Sequence, residues 1–179
     1  MAQTATIYAL KIDLSDVDRG VYETLDLRVA KHPSEGDEYF LTRVLAYCLE
    51  YAEGIDFSKG LADPDEPTLF VRDATGQLKV WIEVGMPDAA RLHKASKAAP
   101  RVVVYTHRDP ARLLAQLAGE RIHRRESLEV YAVDRTLLAE WLPRLTRRMV
   151  MDLSVSDRQL YLGIGPDTLT GPLTPYAVP

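Results

Sequence analysis

The chain has 179 residues, of which 46% are hydrophobic and 27% charged, as is usual for one soluble domain with a full core. Its formal net charge of −4 disfavours unspecific nucleic-acid binding but leaves room for a local basic groove. The lone cysteine, Cys48, excludes an intramolecular disulfide and favours a reducing compartment. No apolar run approaches the roughly 20 residues of a spanning helix, and the first residues do not resemble a signal peptide. We therefore expect a single cytoplasmic domain over 1–179 with no membrane association.

The first third of the chain predicts a hairpin followed by a helix. Residues 4–15 and 20–31 alternate between apolar and polar side chains around a turn, which is typical of two antiparallel strands. Pro33 then changes the period, and Ser34 is a suitable N-cap. We expect a helix from about Glu35 to Ala52 that Gly54 closes.

The middle of the chain alternates strands and helices. We expect strands at 55–60, 68–72, 78–84, 101–106 and 127–133, and helices at 87–98, 110–118 and 135–142. The strand–helix–strand crossover over 78–106 predicts a parallel pair, and the apolar run at 102–105 predicts a strand buried on both faces.

A second hairpin is predicted near the C-terminus, at 149–155 and 159–163, and the proline-rich residues from Gly165 onward predict an irregular coat. The fold class is therefore α/β (α+β), a mixed central sheet with an antiparallel hairpin at each end.

Glu83 is the clearest candidate functional residue. It lies near the end of an apolar strand, on the same face as Trp81, where an unpaired carboxylate would be costly. An ion pair with a cation of the next helix, such as Arg91, explains it equally well. Asp65 lies in a Pro-Asp-Glu-Pro turn 18 positions earlier, and Glu66 beside it is an alternative; ordinary turn chemistry explains both.

Two acids of the first helix are further candidates. The helical phase places Glu38 toward the sheet rather than toward water. Glu35 lies at the edge of the apolar stripe in the first turn, where an acid also suits the helix dipole.

Oxygen ligands of this kind suit Mg²⁺ or Mn²⁺, which keep waters and bridge substrate phosphates. A nearby lysine would orient the attacking water or stabilise developing negative charge. The four histidines lack zinc-ligand spacing. Basic clusters at 121–125 and 144–148 could contact phosphates, although a solvated surface is the commoner use of such clusters.

Together these residues resemble the YaeQ family of small bacterial proteins, over nearly the whole chain. The resemblance is carried by residues 5–8, His32-Pro33-Ser34-Glu35 with Glu38, residues 60–61, Asp65-Glu66-Pro67, residues 81–88, and Arg91 with Lys94-Ala95. The family is regarded as a variant of the PD-(D/E)XK nuclease-like fold, also called restriction endonuclease-like, whose core is a helix, three strands, a helix and a strand.

The resemblance implies roles for individual residues. Asp65 and Glu83 would be the metal-binding acids, and Glu38 or Glu35 the acid on the helix. Gly85 stands where such sites usually have their lysine, so Lys94 on the next helix would be its replacement, with Arg91 as a rival.

Two functions therefore stay open. One is a Mg²⁺-dependent nuclease or phosphodiesterase, in which Asp65 and Glu83 hold the metal, Glu38 supports it and Lys94 is catalytic. The other is a non-catalytic protein that keeps the nuclease-like scaffold and binds a protein or nucleic-acid partner. The fold alone does not decide between them.

Overall fold

The computed structural model describes residues 4–59, 63 and 65–179. Within them the chain divides into two compact units. Unit 1 comprises the residues up to Val44 together with Val133–Leu173, and unit 2 comprises Leu45–Ala132 and Thr174–Pro179.

The described residues form ten strands and four α-helices, a mixed α+β architecture as predicted. In chain order the elements are β1 (Thr6–Asp16), β2 (Val21–Lys31), α1 (Asp37–Leu49), β3 (Ile55–Phe57), β4 (Leu69–Arg72), β5 (Leu78–Val84), α2 (Ala89–Ala98), β6 (Arg101–Thr106), α3 (Pro110–Leu117), β7 (Glu129–Val133), α4 (Arg135–Trp141), β8 (Arg148–Ser156), β9 (Gln159–Ile164) and β10 (Asp167–Tyr176). The order from α1 to β6 is the predicted helix, three strands, helix and strand. No helix among these residues is long and apolar enough to cross a membrane.

The sheet of unit 1 has the strand order β2-β1-β8-β9-β10. Both predicted hairpins are confirmed: β1 pairs antiparallel with β2, and β8 with β9. β1 and β8 are parallel. Along β1, Leu10, Ile12 and Leu14 are buried while the residues between them are exposed, so that one face of the sheet covers a core.

A carboxylate joins the two hairpin turns of unit 1. Asp18, between β1 and β2, accepts the backbone N–H groups of Asp157 at 2.7 Å and of Arg158 at 2.9 Å. Those two residues have φ values of 50° and 57°, which side-chain-bearing residues rarely adopt. The bonds to Asp18 therefore stabilise a strained turn.

The sheet of unit 2 has the strand order β7-β6-β5-β4-β3. β5 and β6 are parallel, which confirms the predicted crossover through α2, and β6 is parallel to β7. Residues 102–106 of β6 are all buried, as expected for a strand covered on both faces. Helix α2 packs Leu92 and Ala95 against Trp81 and Val102, and this packing fixes its polar side beside the end of β5.

One predicted helix is present but shorter than expected, and one predicted irregular segment is wrong. Helix α1 begins at Asp37 and ends at Leu49, instead of spanning 35–52, because Glu35 belongs to the preceding turn. The hydroxyl of Ser34 contacts His32 Nδ1 at 2.8 Å and is not the predicted cap. The predicted irregular coat contains β10, which pairs antiparallel with β9. Leu169, Gly171 and Leu173 alternate inward there, and this periodicity outweighs the prolines.

Candidate functional site

The site is built where β5 ends in unit 2. Gly85 follows the strand with a φ of 96°, and its N–H donates to Tyr105 O at 2.9 Å. A side chain is strained at that φ. The backbone therefore explains why glycine, and not the expected lysine, occupies this position, and any cation must come from another element.

Glu83 is buried, with 4% of its side chain exposed. Its Oε1 accepts from Trp81 Nε1 at 2.6 Å and lies 2.8 Å from the Arg91 guanidinium. Its Oε2 accepts from the Thr68 hydroxyl at 3.5 Å, which is a weak contact. Oε1 therefore has two close contacts, and Oε2 has a weaker one.

Arg91 joins three chain segments. Besides Glu83, its guanidinium donates to the carbonyl oxygens of Asp63 at 3.1 Å and Glu66 at 2.6 Å. It also lies over the Trp81 ring, 5.8 Å from the centroid. The Asp88 carboxylate caps α2 by accepting the Arg91 N–H at 2.8 Å. Arg91 thus fixes the turn that carries Asp65 against the end of β5.

Asp65 and Lys94 form an ion pair through Asp65 Oδ1 and Lys94 Nζ. Both are exposed, at 73% and 50% of their side chains, so that solvent reaches the pair. Lys94 lies one turn after Arg91 on α2, and the helix therefore presents one cation to each predicted acid. Glu66 is exposed, and it is its carbonyl, not its carboxylate, that contacts Arg91.

The acids of the first helix region lie in unit 1. Glu35 is buried and forms a two-point ion pair with Arg43, at 2.6 and 2.9 Å. It also accepts the His32 N–H at 3.1 Å, which ties the turn before α1 together. Glu38 is exposed, so the prediction that it faces the sheet is wrong. Helix α1 begins only at Asp37 and becomes buried from Phe40 onward, which leaves its first turn in solvent.

Metal coordination at this site would depend on Asp65 and Glu83. Among the described residues no group of three or more His, Cys, Asp or Glu side chains could hold a metal ion. Two carboxylates are nevertheless the usual protein contribution for Mg²⁺, which retains several waters and takes further ligands from substrate phosphates. The donor chemistry of Asp65 and of the Glu83 Oε2 atom therefore fits Mg²⁺ or Mn²⁺.

A second ionic network of unit 2 was not predicted. Arg101, at the start of β6, contacts buried Glu50 at 2.5 and 3.1 Å and Glu129 at 2.6 and 3.1 Å. The Tyr105 hydroxyl donates to Glu50 at 2.6 Å, and burial together with that carboxylate raises the pKa of Tyr105 well above its ordinary value. The charged and polar groups of this network bond to one another, so we infer that the network stabilises the fold.

Three arginines of the two basic clusters have structural contacts. Arg124 donates to the carbonyl of Ala99 at 2.8 Å, and Arg125 to that of Leu117 at 2.7 Å. Arg144 pairs with Asp167 at 3.2 Å. Arg121 is exposed, with no carboxylate of the described residues within ion-pair distance.

The mixed α+β fold matches one class of proteins closely. A family model described as YaeQ protein matches residues 1–171. "Uncharacterized protein YaeQ" of Escherichia coli (strain K12) is 32% identical, and that of Salmonella typhi 29%, each over 100% of this chain and 99% of the relative.

Solved structures agree with the sequence relatives. The crystal structure of YaeQ protein from Pseudomonas syringae has a TM-score of 0.86 at 29% identity, covering 97% of both chains. That from Xanthomonas axonopodis pv. citri has a TM-score of 0.84 at 32% identity, covering 96% of this chain and 97% of the other. The chain belongs to the YaeQ family.

Proposed function

We propose that the protein is a Mg²⁺- or Mn²⁺-dependent phosphodiesterase of the nuclease type, with its site at the end of β5. One observation carries the proposal: a single helix, α2, brings Lys94 onto Asp65 and Arg91 onto Glu83. Two acids and a lysine in one place are the parts that metal-dependent phosphoryl chemistry requires. The nuclease-like ancestry of the core belongs to the same proposal.

Each residue of the site would have a separate role in phosphodiester cleavage. Asp65 and the Oε2 atom of Glu83 would hold the ion, which when bound polarises the phosphate and lowers the pKa of the attacking water. Lys94, released from Asp65, would orient that water or stabilise negative charge on the phosphate. Arg91 would orient the Glu83 carboxylate through its contact with Oε1, and Oε2 would be the atom that binds the ion. Since Gly85 excludes a side chain, Lys94 takes the place of the usual lysine.

Cleavage assays test this proposal. Labelled single- and double-stranded DNA and RNA would be incubated with Mg²⁺ or Mn²⁺ and wild-type protein, Glu83→Gln, Asp65→Asn or Lys94→Gln. We expect metal-dependent cleavage that falls by about 10²-fold or more in each variant.

Matched controls separate chemistry from stability. Glu35→Gln removes the charge of another buried Glu–Arg pair, and Asp167→Asn removes the acid of another exposed ion pair, that with Arg144; both pairs lie in unit 1. Both controls should retain activity. Equal activity in wild type and in the Glu83 variant would sink the proposal, as would no cleavage of any substrate with either metal.

A second candidate function is a non-catalytic binding protein on the same scaffold. The observation that favours it is that both acids already have cationic partners, one of them in a buried ion pair. Calorimetric titration with Mn²⁺ separates the two functions. The phosphodiesterase binds Mn²⁺ in a manner that Asp65→Asn weakens, whereas the binding protein gives the same isotherm with and without that substitution.

A further inference from the structure

A cationic surface continues along α2 beyond the proposed site. It consists of His93 and Lys97 on the helix, and of Arg121 and His123 in the segment after α3. Lys97, Arg121 and His123 are exposed, and His93 is half-buried. Lys97 lies three residues after Lys94, so the surface begins one helical turn from the Asp65 contact.

Two residues, His123 and Arg124, hold the 121–124 segment against α2. The His123 N–H donates to His93 Nδ1 at 3.0 Å, and the two rings meet edge to face with centroids 6.4 Å apart. Arg124 adopts a φ of 47° and donates to the carbonyl of Ser96 in the last turn of the helix and to that of Ala99, which follows the helix. These contacts hold the segment that carries Arg121 against the helix.

The charges of this surface have the same sign. Desolvation lowers the pKa of His93 first, and electrostatic interaction with the basic side chains of Lys97, Arg121 and His123 lowers it further. Every charged neighbour that shifts this pKa is basic. Among the described residues, no carboxylate lies within ion-pair distance of Lys97 or Arg121. Such an accumulation of like charge raises the local concentration of anions at this surface, although the chain as a whole has a net charge of −4.

We propose that Lys97, Arg121 and His123 bind the phosphate backbone of a nucleic-acid strand and lead it to Lys94. The proposal names the substrate class of the phosphodiesterase site and in that respect rests on the proposed function. Binding is nevertheless a separate event from cleavage, because the three residues contact phosphates and neither of the acids. The surface recognises charge and spacing and carries no base readout.

The test is fluorescence anisotropy with a labelled 20-nucleotide oligothymidylate and a 20-base-pair duplex in EDTA, so that no cleavage occurs. Affinity would be measured from 50 to 200 mM salt for wild type and for Lys97→Gln/Arg121→Gln. The matched control is Arg28→Gln/Arg135→Gln, which removes two exposed arginines of unit 1 and changes net charge equally.

Counterion release gives the expected result. Each phosphate contact contributes about −0.7 to the slope of log affinity against log salt for a single strand. Losing Lys97 and Arg121 should therefore make that slope about 1.4 less negative and weaken binding several-fold, with an unchanged melting temperature. The control should keep the wild-type slope.

Several outcomes would overturn the proposal. Equal slopes in the Lys97/Arg121 variant and the control would do so, as would wild-type dissociation constants above about 10⁻⁴ M for both nucleic acids at 50 mM salt. Binding to vesicles of anionic phospholipid without binding to either oligonucleotide would assign the surface to a membrane instead. Glu83→Gln distinguishes binding by this surface from the proposed cleavage. This variant should bind nucleic acid as the wild type does, and that result is expected even if neither the wild type nor the variant cleaves any substrate.

Discussion

Replacement of Arg91 by methionine tests whether this residue organises the site. The substitution keeps an apolar stem over Trp81 but removes the charge beside Glu83 and the donors to the Asp63 and Glu66 carbonyls. Removing one partner of a buried ion pair costs about 3–5 kcal/mol. Because 22% of the Arg91 side chain is exposed, we expect the lower end, about 3 kcal/mol.

Urea unfolding followed by tryptophan fluorescence measures this loss. With a slope of about 2 kcal/mol/M, a loss of 3 kcal/mol lowers the midpoint by about 1.5 M. The control is Arg144→Met, which also breaks a pair with a carboxylate and a bond to a carbonyl but on an exposed surface. It should cost at most about 1 kcal/mol.

A double-mutant cycle with Glu83→Gln isolates the pair. Glutamine keeps an acceptor for the Trp81 N–H but is uncharged. The double variant therefore leaves no buried charge without a partner when Arg91 is absent. The double variant should therefore be more stable than the two single losses together imply, by about 1.5 kcal/mol or more. Additivity within about 0.5 kcal/mol, or a loss below about 1 kcal/mol for Arg91→Met, would refute the role assigned to this residue.

Three further predictions concern single positions. Gly54→Ala should destabilise the protein by about 2 kcal/mol or more, because Gly54 has a φ of 90° and an added Cβ would lie 1.9 Å from Arg72 O; an unchanged melting temperature would contradict this. Burial raises the pKa of the Cys48 thiol to about 12, so iodoacetamide at pH 8 should label it only in urea, and rapid labelling of the folded chain would show that the thiol is accessible. Bonds from the Thr75 hydroxyl and nearby N–H groups lower the pKa of Asp73 to about 2, so the stability that this turn contributes is present above the ordinary pKa of 3.8 and lost as the pH falls toward 2. Thr75→Val should raise the pKa of Asp73 toward 3.8 in an NMR titration, and an unchanged midpoint would rule out the hydroxyl as its cause.

Periodicity predicted much of the fold because it reports which faces are buried. The alternation of β1 and β2 and the crossover from β5 to β6 follow from apolar spacing and the handedness of such connections. β10 was missed because its prolines and glycines resemble a loop. Whether a proline disturbs a strand depends on whether its neighbour needs the N–H, and that requires the register.

The site was only partly readable from the sequence. The burial of Glu83 and its shared face with Trp81 follow from strand alternation, and Arg91 and Lys94 were the two cations considered. Which acid each cation meets depends on the phase of α2, and this is fixed by the packing of Leu92 and Ala95.

Two features of unit 2 could be recognised only from the three-dimensional structure. The partners of Arg101 are 28 and 51 residues away in sequence, too distant for local spacing to indicate them. The constraint on Gly85 is a backbone angle, so the sequence alone could show that lysine was missing but not why.

The most direct test of the proposed site is an anomalous-diffraction experiment on crystals soaked in Mn²⁺. Asp65 and Glu83 supply the donors, and Lys94 is the group that must leave Asp65 when the ion binds. We predict one strong anomalous peak within coordination distance of Asp65 and of Glu83 Oε2, with Lys94 displaced. An intact Asp65–Lys94 pair, with no peak at these residues at millimolar Mn²⁺, would contradict the metal-dependent account.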